Sequence, residues 1–555
     1  MPVNTTIPMF STAWRYWETA RHLKLQQFAG RLRLRLPVSR NLDGATPSKR
    51  RTISPWQPPA GRAPSLVGPR CFRFLNEQYE LAEIGWDNPA IPLLWRYNQH
   101  YFDDLNARDA EVRRSWHAAL IEDWLEANPP ARGTAWAPYP TSLRIVNWVK
   151  YALSGNPLSN TAEQSLAMQT RWLMRRIEWH LLGNHLFANA KALIFAGLYF
   201  EGAEADRWLN KGRTILEREI PEQILDDGGH FELSTMYHAL AIEDMLDLFN
   251  VLQAYANGGD HHLAHLQSSI GNRVPKMFRW LDAMSHPDGD LAFFNDAAFG
   301  ITAANEDLHS YARRLGLNDM CGFDAPLRLA KSGYARLEVG KAVALLDIAA
   351  VGPQYLPGHA HADTLSFEFS MGQQRIFVNS GTSVYGLDAK RQRQRGTAAH
   401  NTVEIEGENS SDVWAGFRVG RRARITEASI HTTGGVQTAR GAHDGYRYLR
   451  GRPVHTREWS LSQGKLRVVD ELSRSDHSAI AYFHLHPTAN IVSDSATHGT
   501  ITAPEGPEIV WRADGKACVT ENRWHPQFGM DVPSQCLAVE LHEGRGALEL
   551  TWNDA

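Results

Sequence analysis

Ala335-Arg336-Leu337-Glu338-Val339-Gly340-Lys341-Ala342-Val343-Ala344-Leu345-Leu346-Asp347 is where the chain changes its period. From about residue 330 onward, apolar residues recur at a spacing of two, the pattern of β-strands. Asp363–Ser370, Arg375–Ser380, Asn401–Glu406, Val454–Leu461, Lys465–Leu472, Ala479–His486, Glu508–Arg512 and Leu537–Thr551 read the same way. Ser462-Gln463-Gly464-Lys465 has the composition of a hairpin turn. Upstream, between about 90 and 320, the spacing is three and four. Val112–Ala127, Ser142–Leu153, Ala162–Trp179, Asn189–Glu201, Ala205–Glu219, Tyr237–Ala256 and Val274–Met284 read as helices. Pro129-Pro130, Pro157, Gly202, Pro221 and Gly258-Gly259 punctuate them. A run of helices followed by a run of strands predicts a multidomain α+β chain. Many helices with short connections predict hairpins that close into an α/α toroid or stack as a solenoid. The strands suffice for an antiparallel two-sheet sandwich. The expected division is an N-terminal helix and extended arm over 1–89, a helical unit over 90–330 and a β unit over 331–555.

Composition narrows the function. A chain of 555 residues with 43% hydrophobic and 21% charged residues fits a globular protein of two or three domains. The net charge of −3 offers nothing global to nucleic acid or an anionic membrane. The 18 Trp, 16 Tyr and 21 Phe mainly build core, but aromatic faces also stack on sugar rings, which favours a carbohydrate surface. Cys71, Cys321, Cys518 and Cys536 are too far apart for a zinc ribbon or a disulfide framework. No apolar run is long enough for a transmembrane helix. Met1 to Leu36 lacks the apolar core of a secretory signal, and its Trp14, Arg15, Trp17, Arg21 and Lys24 read as an amphipathic helix. The location expected from this is cytoplasmic, or outside by a route other than Sec. Residues 37–70, rich in Pro, Arg, Ser and Gly, read as a linker or arm.

Four polar clusters carry the chemistry. Pro357-Gly358-His359-Ala360-His361-Ala362-Asp363 puts two imidazoles and a carboxylate on one face at the entry to a strand. Imidazole suits proton transfer or metal ligation near neutral pH. Gly183-Asn184-His185-Leu186 precedes an apolar helix, so Asn184 and His185 sit where helix-end amides favour an anion. Asp226-Asp227-Gly228-Gly229-His230-Phe231-Glu232-Leu233-Ser234-Thr235-Met236-Tyr237-His238 crowds two acids, histidines, a glutamate and a tyrosine into a loop entering a helix. Arg391 to Thr402 adds three arginines and His400. Arginine forks recognise carboxylates, and His359, His361 and His400 together have the makings of a zinc site.

In this order, Asn184-His185, the Gly229-to-His238 block, His359-to-Asp363 and Thr397-to-Thr402 resemble the heparinase II/III-like polysaccharide lyases. The resemblance covers roughly residues 90–500. It implies an incomplete α/α toroid followed by an antiparallel β-sandwich, and cleavage of a uronic-acid polysaccharide by β-elimination. Family substrates include heparan sulfate and alginate. By resemblance, Asn184 and His185 neutralise the substrate carboxylate, Tyr237 is the catalytic tyrosine and His359 a catalytic histidine. Glu232, His238, Arg393 and Arg395 are expected to bind substrate. His361 and His400 match ligands of a zinc ion, and Asn379 stands where the family has an aspartate. Neither an organic cofactor nor a nucleic-acid partner is implied, and the oligomeric state stays open.

β-Elimination takes the proton α to the carboxylate and expels the 4-O-linked sugar, so it needs a base, an acid and donors for the developing dianion. Two other readings compete. A glycoside hydrolase on the same scaffold needs two carboxylates flanking the bond, with Asp226, Asp227 and Glu232 as candidates. A non-catalytic polysaccharide-binding protein for exopolysaccharide assembly needs no intact Tyr/His/Asn set.

Overall fold

The computed structural model describes residues 9–255, 260–317 and 322–553. Ala256, Gly258-Gly259 and Cys321 lie outside them. The amphipathic start forms two helices, Met9–Ala20 and Leu25–Arg35. The arm that follows is extended, pairs at Lys49 with Phe200, and ends in a small sheet of Leu66–Gly68, Cys71–Phe74 and Glu77–Glu80 that its Pro/Gly-rich lead-in had hidden.

The helical half runs from Leu93–Tyr101 to Asn305–Arg314. Its antiparallel hairpins form an α/α toroid. Leu93–Tyr101, His261–Gly271 and Asn305–Arg314 match no periodic segment, and Pro221, expected as a break, lies inside Ala203–Gln223. The seven periodic segments each become a helix with ends within about four residues of those expected, with one instructive exception. The helix expected from Asn189 begins at Gly183 and runs to Tyr199, so Asn184 and His185 occupy its first turn. This helix is buried on nearly every side, because it packs between Pro138–Leu153 and Ala203–Gln223. A helix apolar all round belongs at the centre of such an assembly. Trp95, Trp124 and Trp148 are fully buried in the core of the helical half.

The sheet half is a two-layer antiparallel sandwich. One layer has eight strands in the order Ile425–Thr433, Val436–His443, His455–Ser462, Lys465–Leu472, Arg545–Trp552, Ile509–Asp514, His498–Thr502, Asn490–Ser493. The other joins a five-stranded sheet, from Leu327–Leu329 to Gln374–Phe377, to a four-stranded sheet of Ala517–Trp524, Val532–Glu540, Ala479–His484 and Val403–Ile405. The two meet edge to edge where Phe377 bridges to Leu485. Between the layers lie Phe367, Phe369, Phe377 and Phe483 against Trp459, Trp511 and Leu548.

The stretch 335–347 is two strands, Tyr334–Val339 and Ala342–Asp347, folded at Gly340-Lys341. Gly340 has φ +60°, which a side chain tolerates poorly, so the chain turns there. Leu537–Thr551 likewise divides around the turn at Glu543-Gly544. The strand expected from Asp363 starts at Phe367, and the residues before it form a loop facing the helical half.

Candidate active site

Three chain segments are buckled together by one side chain, Asn295. Its Nδ2 donates to the Leu233 carbonyl at 2.8 Å, and its Oδ1 accepts from the His361 amide at 2.9 Å. Its own amide donates to Asp363 Oδ2 at 3.0 Å. This joins the loop after the Gly229 cluster to the His359–Asp363 loop. Four non-glycine residues flank the same place in left-handed conformations: Leu182 (φ 65°), Leu233 (60°), Asn295 (57°) and Leu365 (63°). Each leucine there costs about 1–3 kcal/mol, which surrounding hydrogen bonds must offset. Such strain gathers where backbone must be aimed and not merely packed.

The next residue, Asp296, is the hub. It is fully buried. His359 Nδ1 lies 2.9 Å from its Oδ2 and His361 Nε2 2.8 Å from its Oδ1. Arg391 forks onto both oxygens, with Nη2 at 2.7 Å, and Thr382 Oγ1 donates to Oδ1 at 3.2 Å. Burial penalises the carboxylate, but Arg391 and the two imidazoles outweigh it and hold its pKa well below the ordinary range. Asp296 thus fixes both rings. His359 turns Nε2 outward, 3.7 Å from Glu232 Oε2.

Tyr237 stacks on His359 with ring centroids 3.8 Å apart, and its hydroxyl lies 3.2 Å from that of Tyr385. Burial, then Tyr385, pushes the Tyr237 phenol well above its usual pKa, so it carries its proton. Glu232 is 2% exposed and neither carboxylate oxygen has a hydrogen-bond partner. Burial raises its pKa, against the pull of His359 and His185. Across from it, His185 packs on Tyr139, centroids 4.4 Å apart, and its Nδ1 lies 3.2 Å from Glu178 Oε1. Burial opposes the His185 cation, but Glu178 wins and raises its pKa. Asn189 steadies Glu178 by donating to its other oxygen at 3.0 Å. The Asn184 carboxamide makes no hydrogen bond to any described residue. It lines a cleft of about 460 Å³ together with Tyr139, Tyr237 and Tyr385, a size suited to a small-molecule or sugar ligand. Gln527 and Phe528 of the sheet half close one side of it.

Asn184, His185, Tyr237, His359 and Glu232 therefore converge. Four other expectations need correction. Asn379 is no metal ligand: its Nδ2 donates to the Phe293 carbonyl at 2.9 Å and its Oδ1 accepts from the Asn401 amide at 3.0 Å. Both ends of the amide are spent on backbone. Asp363 takes the third place instead, with a carboxylate oxygen within 4.8 Å of ring nitrogens of both His361 and His400. His238 is fully buried, its Nε2 2.9 Å from the Met277 carbonyl and its Nδ1 accepting from the His230 amide, so it shapes the loop and does not meet substrate. Arg395 is also fully buried. It donates to the carbonyls of Ala360, Ala415 and Gly416 and pins the His359 loop. Arg393 is exposed on the short helix Ala389–Arg395 and does not line the cleft. Arg391 and Arg395, one helical turn apart, face inward.

Asp227 and Asp226 are also away from the cleft. Asp227 Oδ2 accepts from the amides of Lys331 and Ser332, and Asp226 is largely exposed. The sequence missed Asp296, Arg391 in its actual role, Tyr385 and Glu178. Only Asp363 left a signal, at the third same-face position of the His359 motif.

The hydrogen bonds test whether a cation fits. His400 Nδ1 donates to the Gly396 carbonyl at 2.7 Å, so its Nε2 is bare. His361 Nε2 donates to Asp296, so a neutral His361 also has a bare Nδ1. These two nitrogens face each other at 3.0 Å. Either His361 holds a second proton or a cation lies there. Burial pushes its pKa down to about 4, against the proton. A carboxylate behind a histidine and a second carboxylate beside the pair are the surroundings of a metal-binding imidazole. His361, Asp363 and His400 fit a metal ion.

Comparison with known proteins agrees with these features. Residues 100–315 match the Heparinase II/III N-terminus and residues 325–553 the Heparinase II/III-like C-terminal region. Over 249 residues the chain is 29% identical to a heparin-sulfate lyase of Bacteroides stercoris, covering 41% of this chain and 36% of that protein. A heparin-sulfate lyase of Pedobacter heparinus is 29% identical over 250 residues, again 41% and 36%. The match thus spans little more than a third of these relatives' length. A heparinase III crystal structure superposes with a TM-score of 0.64 at 17% identity, covering 85% of this chain and 77% of that one. The heparan sulfate lyase of Pedobacter heparinus superposes at 0.54 and 16%, covering 98% and 88%. At such identities the likeness is one of fold. With matches running in order from residue 100 to 553 over a toroid and a sandwich that share one cleft, the chain belongs to the heparinase II/III-like family.

Proposed function

We propose that the protein is a polysaccharide lyase that cleaves a uronic-acid polysaccharide by β-elimination. One observation carries this reading: a protonated tyrosine stacked on a histidine whose tautomer is fixed by a buried carboxylate, at the wall of a cleft that Asn184 also lines. The C5–H and C4–O bonds of the uronate break and a C4=C5 double bond forms. His359 Nε2 takes the C5 proton, since Asp296 holds the other ring nitrogen. The Tyr237 hydroxyl gives its proton to the departing oxygen, and Tyr385 orients it. Asn184 and His185 donate to the carboxylate as charge moves onto it. Neutral and half-neutralised donors suit this task, because they strengthen as the dianion develops without trapping the ground state. Glu232, 3.7 Å from His359 Nε2 and without a hydrogen bond of its own among the described residues, is placed to meet a sugar hydroxyl.

The metal is assigned to zinc, held by His361, Asp363 and His400, a donor set typical for that ion. When bound it supplies positive charge that holds the His359 loop. The family relatives are named for heparin sulfate, and an acidic polysaccharide is the expected substrate here.

Hydrolysis fits less well. A second free carboxylate opposite Glu232 is required, yet Asp296 is enclosed and Asp226 and Asp227 lie elsewhere. Of the acids lining the cleft, Glu243, Asp244 and Asp247 are held by Arg62, Lys150 and Lys191, which leaves Asp103, bonded to Asn147, as the one candidate among the described residues. Incubation with a panel of acidic polysaccharides decides. Ultraviolet absorbance of an unsaturated uronate is the expected result. New reducing ends without that absorbance would establish a hydrolase instead, and binding without either product a non-catalytic protein.

A further inference from the structure

The first two helices turn their apolar residues to solvent. Met9–Ala20 and Leu25–Arg35 hold the body of the protein by polar and small side chains. Arg15 Nε donates to Asp412 Oδ2 at 2.9 Å, and Thr19 Oγ1 accepts from Trp414 Nε1 at 3.2 Å. Lys24 pairs with Glu222, and Gln27 Nε2 donates to the Tyr355 carbonyl at 3.4 Å. Gln27 and Gly30 are buried, and a Cβ on Gly30 would stand 2.6 Å from the His180 amide nitrogen, so this face lies close against the helical half. The outer face is apolar. Leu25 is 86% exposed, Leu32 66%, Trp14 62% and Trp17 60%, and Phe28 and Leu36 are exposed as well. Among the described residues, seven of the fifteen exposed large hydrophobic side chains fall between residues 14 and 36. A surface helix held only by its own fold does the reverse and puts its apolar stripe inward. An apolar patch gathered in one place marks a surface with a partner.

Charge identifies that partner. From Trp14 to Leu42 the sequence holds seven Arg or Lys and one acid, Glu18, a local excess of six positive charges in a chain of net charge −3. Glu18 is already taken by Arg21. Arg31, Arg33 and Arg35 are exposed, and none of them pairs with a described acid. By helical periodicity Leu25, Phe28 and Leu32 form one stripe, with Arg33 on one flank and Arg31 and Arg35 on the other. Arginines beside an apolar stripe lay their stems along it and hold their heads at the level of lipid phosphates. Tryptophan favours the same depth. A second copy of this chain would set like charge against like. An acidic polysaccharide would meet the arginines but leave the leucines in water.

We propose that residues 14–36 dock the protein peripherally on an anionic phospholipid surface, with Trp17, Phe28 and Leu32 entering the headgroup layer and Arg31, Arg33 and Arg35 meeting the phosphates. No helix among the described residues is long and apolar enough to cross a membrane, and helices of 12 and 11 residues suit the surface of one leaflet. The proposal is independent of the chemistry in the cleft. The test mixes the full chain with vesicles and floats them through a density gradient. Vesicles of phosphatidylcholine with about one third phosphatidylglycerol should carry the protein upward, and pure phosphatidylcholine vesicles roughly tenfold less of it. Joint replacement Phe28→Ser and Leu32→Ser should lower the partition coefficient about tenfold or more. Joint replacement of Arg31, Arg33 and Arg35 by Gln should abolish the preference for the anionic vesicles, as should high salt. Both variants should keep the wild-type thermal midpoint, since the altered side chains stand in solvent. Protein that floats with neither vesicle overturns the proposal. So does undiminished flotation of the folded serine variant, or an unchanged lipid preference in the folded glutamine variant. A dimer in lipid-free solution that the serine variant returns to monomer would give the face to a second copy and overturn it as well.

Discussion

Two buried networks in this molecule use the same residue types and end differently. In the sandwich, the Gly445 amide donates to His443 Nδ1, His443 Nε2 lies 3.2 Å from His455 Nδ1, and His455 Nε2 lies 2.7 Å from Asp470. Arg457 forks onto Asp470 at 2.7 and 2.8 Å and ties down the carbonyls of Leu365 and Asn401. Each donor there meets one acceptor with every histidine neutral. At the cleft, Arg391, Asp296, His361 and His400 start the same way, but the count does not close: two bare nitrogens face one another. The sandwich network also has no side toward solvent, whereas His359 and Tyr237 lead from Asp296 to the cleft. A closed network is structure. A network with an unmet valence and an open end is a site.

The sharpest way to break this contrast is Tyr237→Phe. It removes one hydroxyl that no core contact needs, so the thermal midpoint should stay at the wild-type value. Turnover should fall about 10²–10⁴-fold if that group carries the proton. Near-normal product formation by the folded variant would remove Tyr237 from the mechanism.

Next come matched variants of the two carboxylates. Asp296→Asn and Asp470→Asn each strand a buried arginine, and each should cost about 3–5 kcal/mol in urea unfolding. Only Asp296→Asn should also lower turnover per folded molecule, by roughly 10–100-fold, because His359, the proposed base, and His361, a proposed metal ligand, lose their shared orienter. Equal losses of activity in both would mean that the cleft network, too, is merely structural.

Metal content sharpens the point. Purified protein should hold one zinc by elemental analysis, lost in His400→Ala and kept in Asp470→Asn. Chelation should lower the unfolding midpoint; bound metal at about 100 times its Kd contributes about 2.7 kcal/mol. Zinc retained in His400→Ala, or a midpoint unmoved by chelation, would refute the ligand set.

The smallest effect lies at the His185–Glu178 pair. The folded pKa of His185 is raised, so its share of stability is complete below its ordinary value of 6.5 and lost as pH climbs through the folded value. Glu178 is lowered from 4.5: burial opposes ionisation, but His185 and Asn189 prevail. Its share is present above 4.5 and lost as pH falls further. The midpoint difference between wild type and Glu178→Gln should therefore peak between pH 4.5 and 6.5. A difference that is flat with pH would show that the pair is not ionic.

Much of this was legible in the chain. The change of period near 335 determined helices before strands, because an apolar face must follow the geometry of its element. The His359–Asp363 motif held the carboxylate that lies with His361 and His400, since residues two apart in extended chain share a face, but the sequence reading set Asn379 in that place. Asn184, Tyr237 and Glu232 stood out as chemistry-bearing groups in loops that lead into helices. What the sequence left undecided was partnership. Nothing local distinguishes Arg391 from Arg393 and Arg395, and only the packing of the short helix turns two of them inward. Asp296 stands in an unpatterned loop, and Asn379 sits where a ligand is expected. The tertiary structure alone gave Asp296 to the histidines and spent Asn379 on backbone. Those choices depend on which buried polar group finds a partner within about 3 Å across segments remote in sequence, and local periodicity carries no record of that.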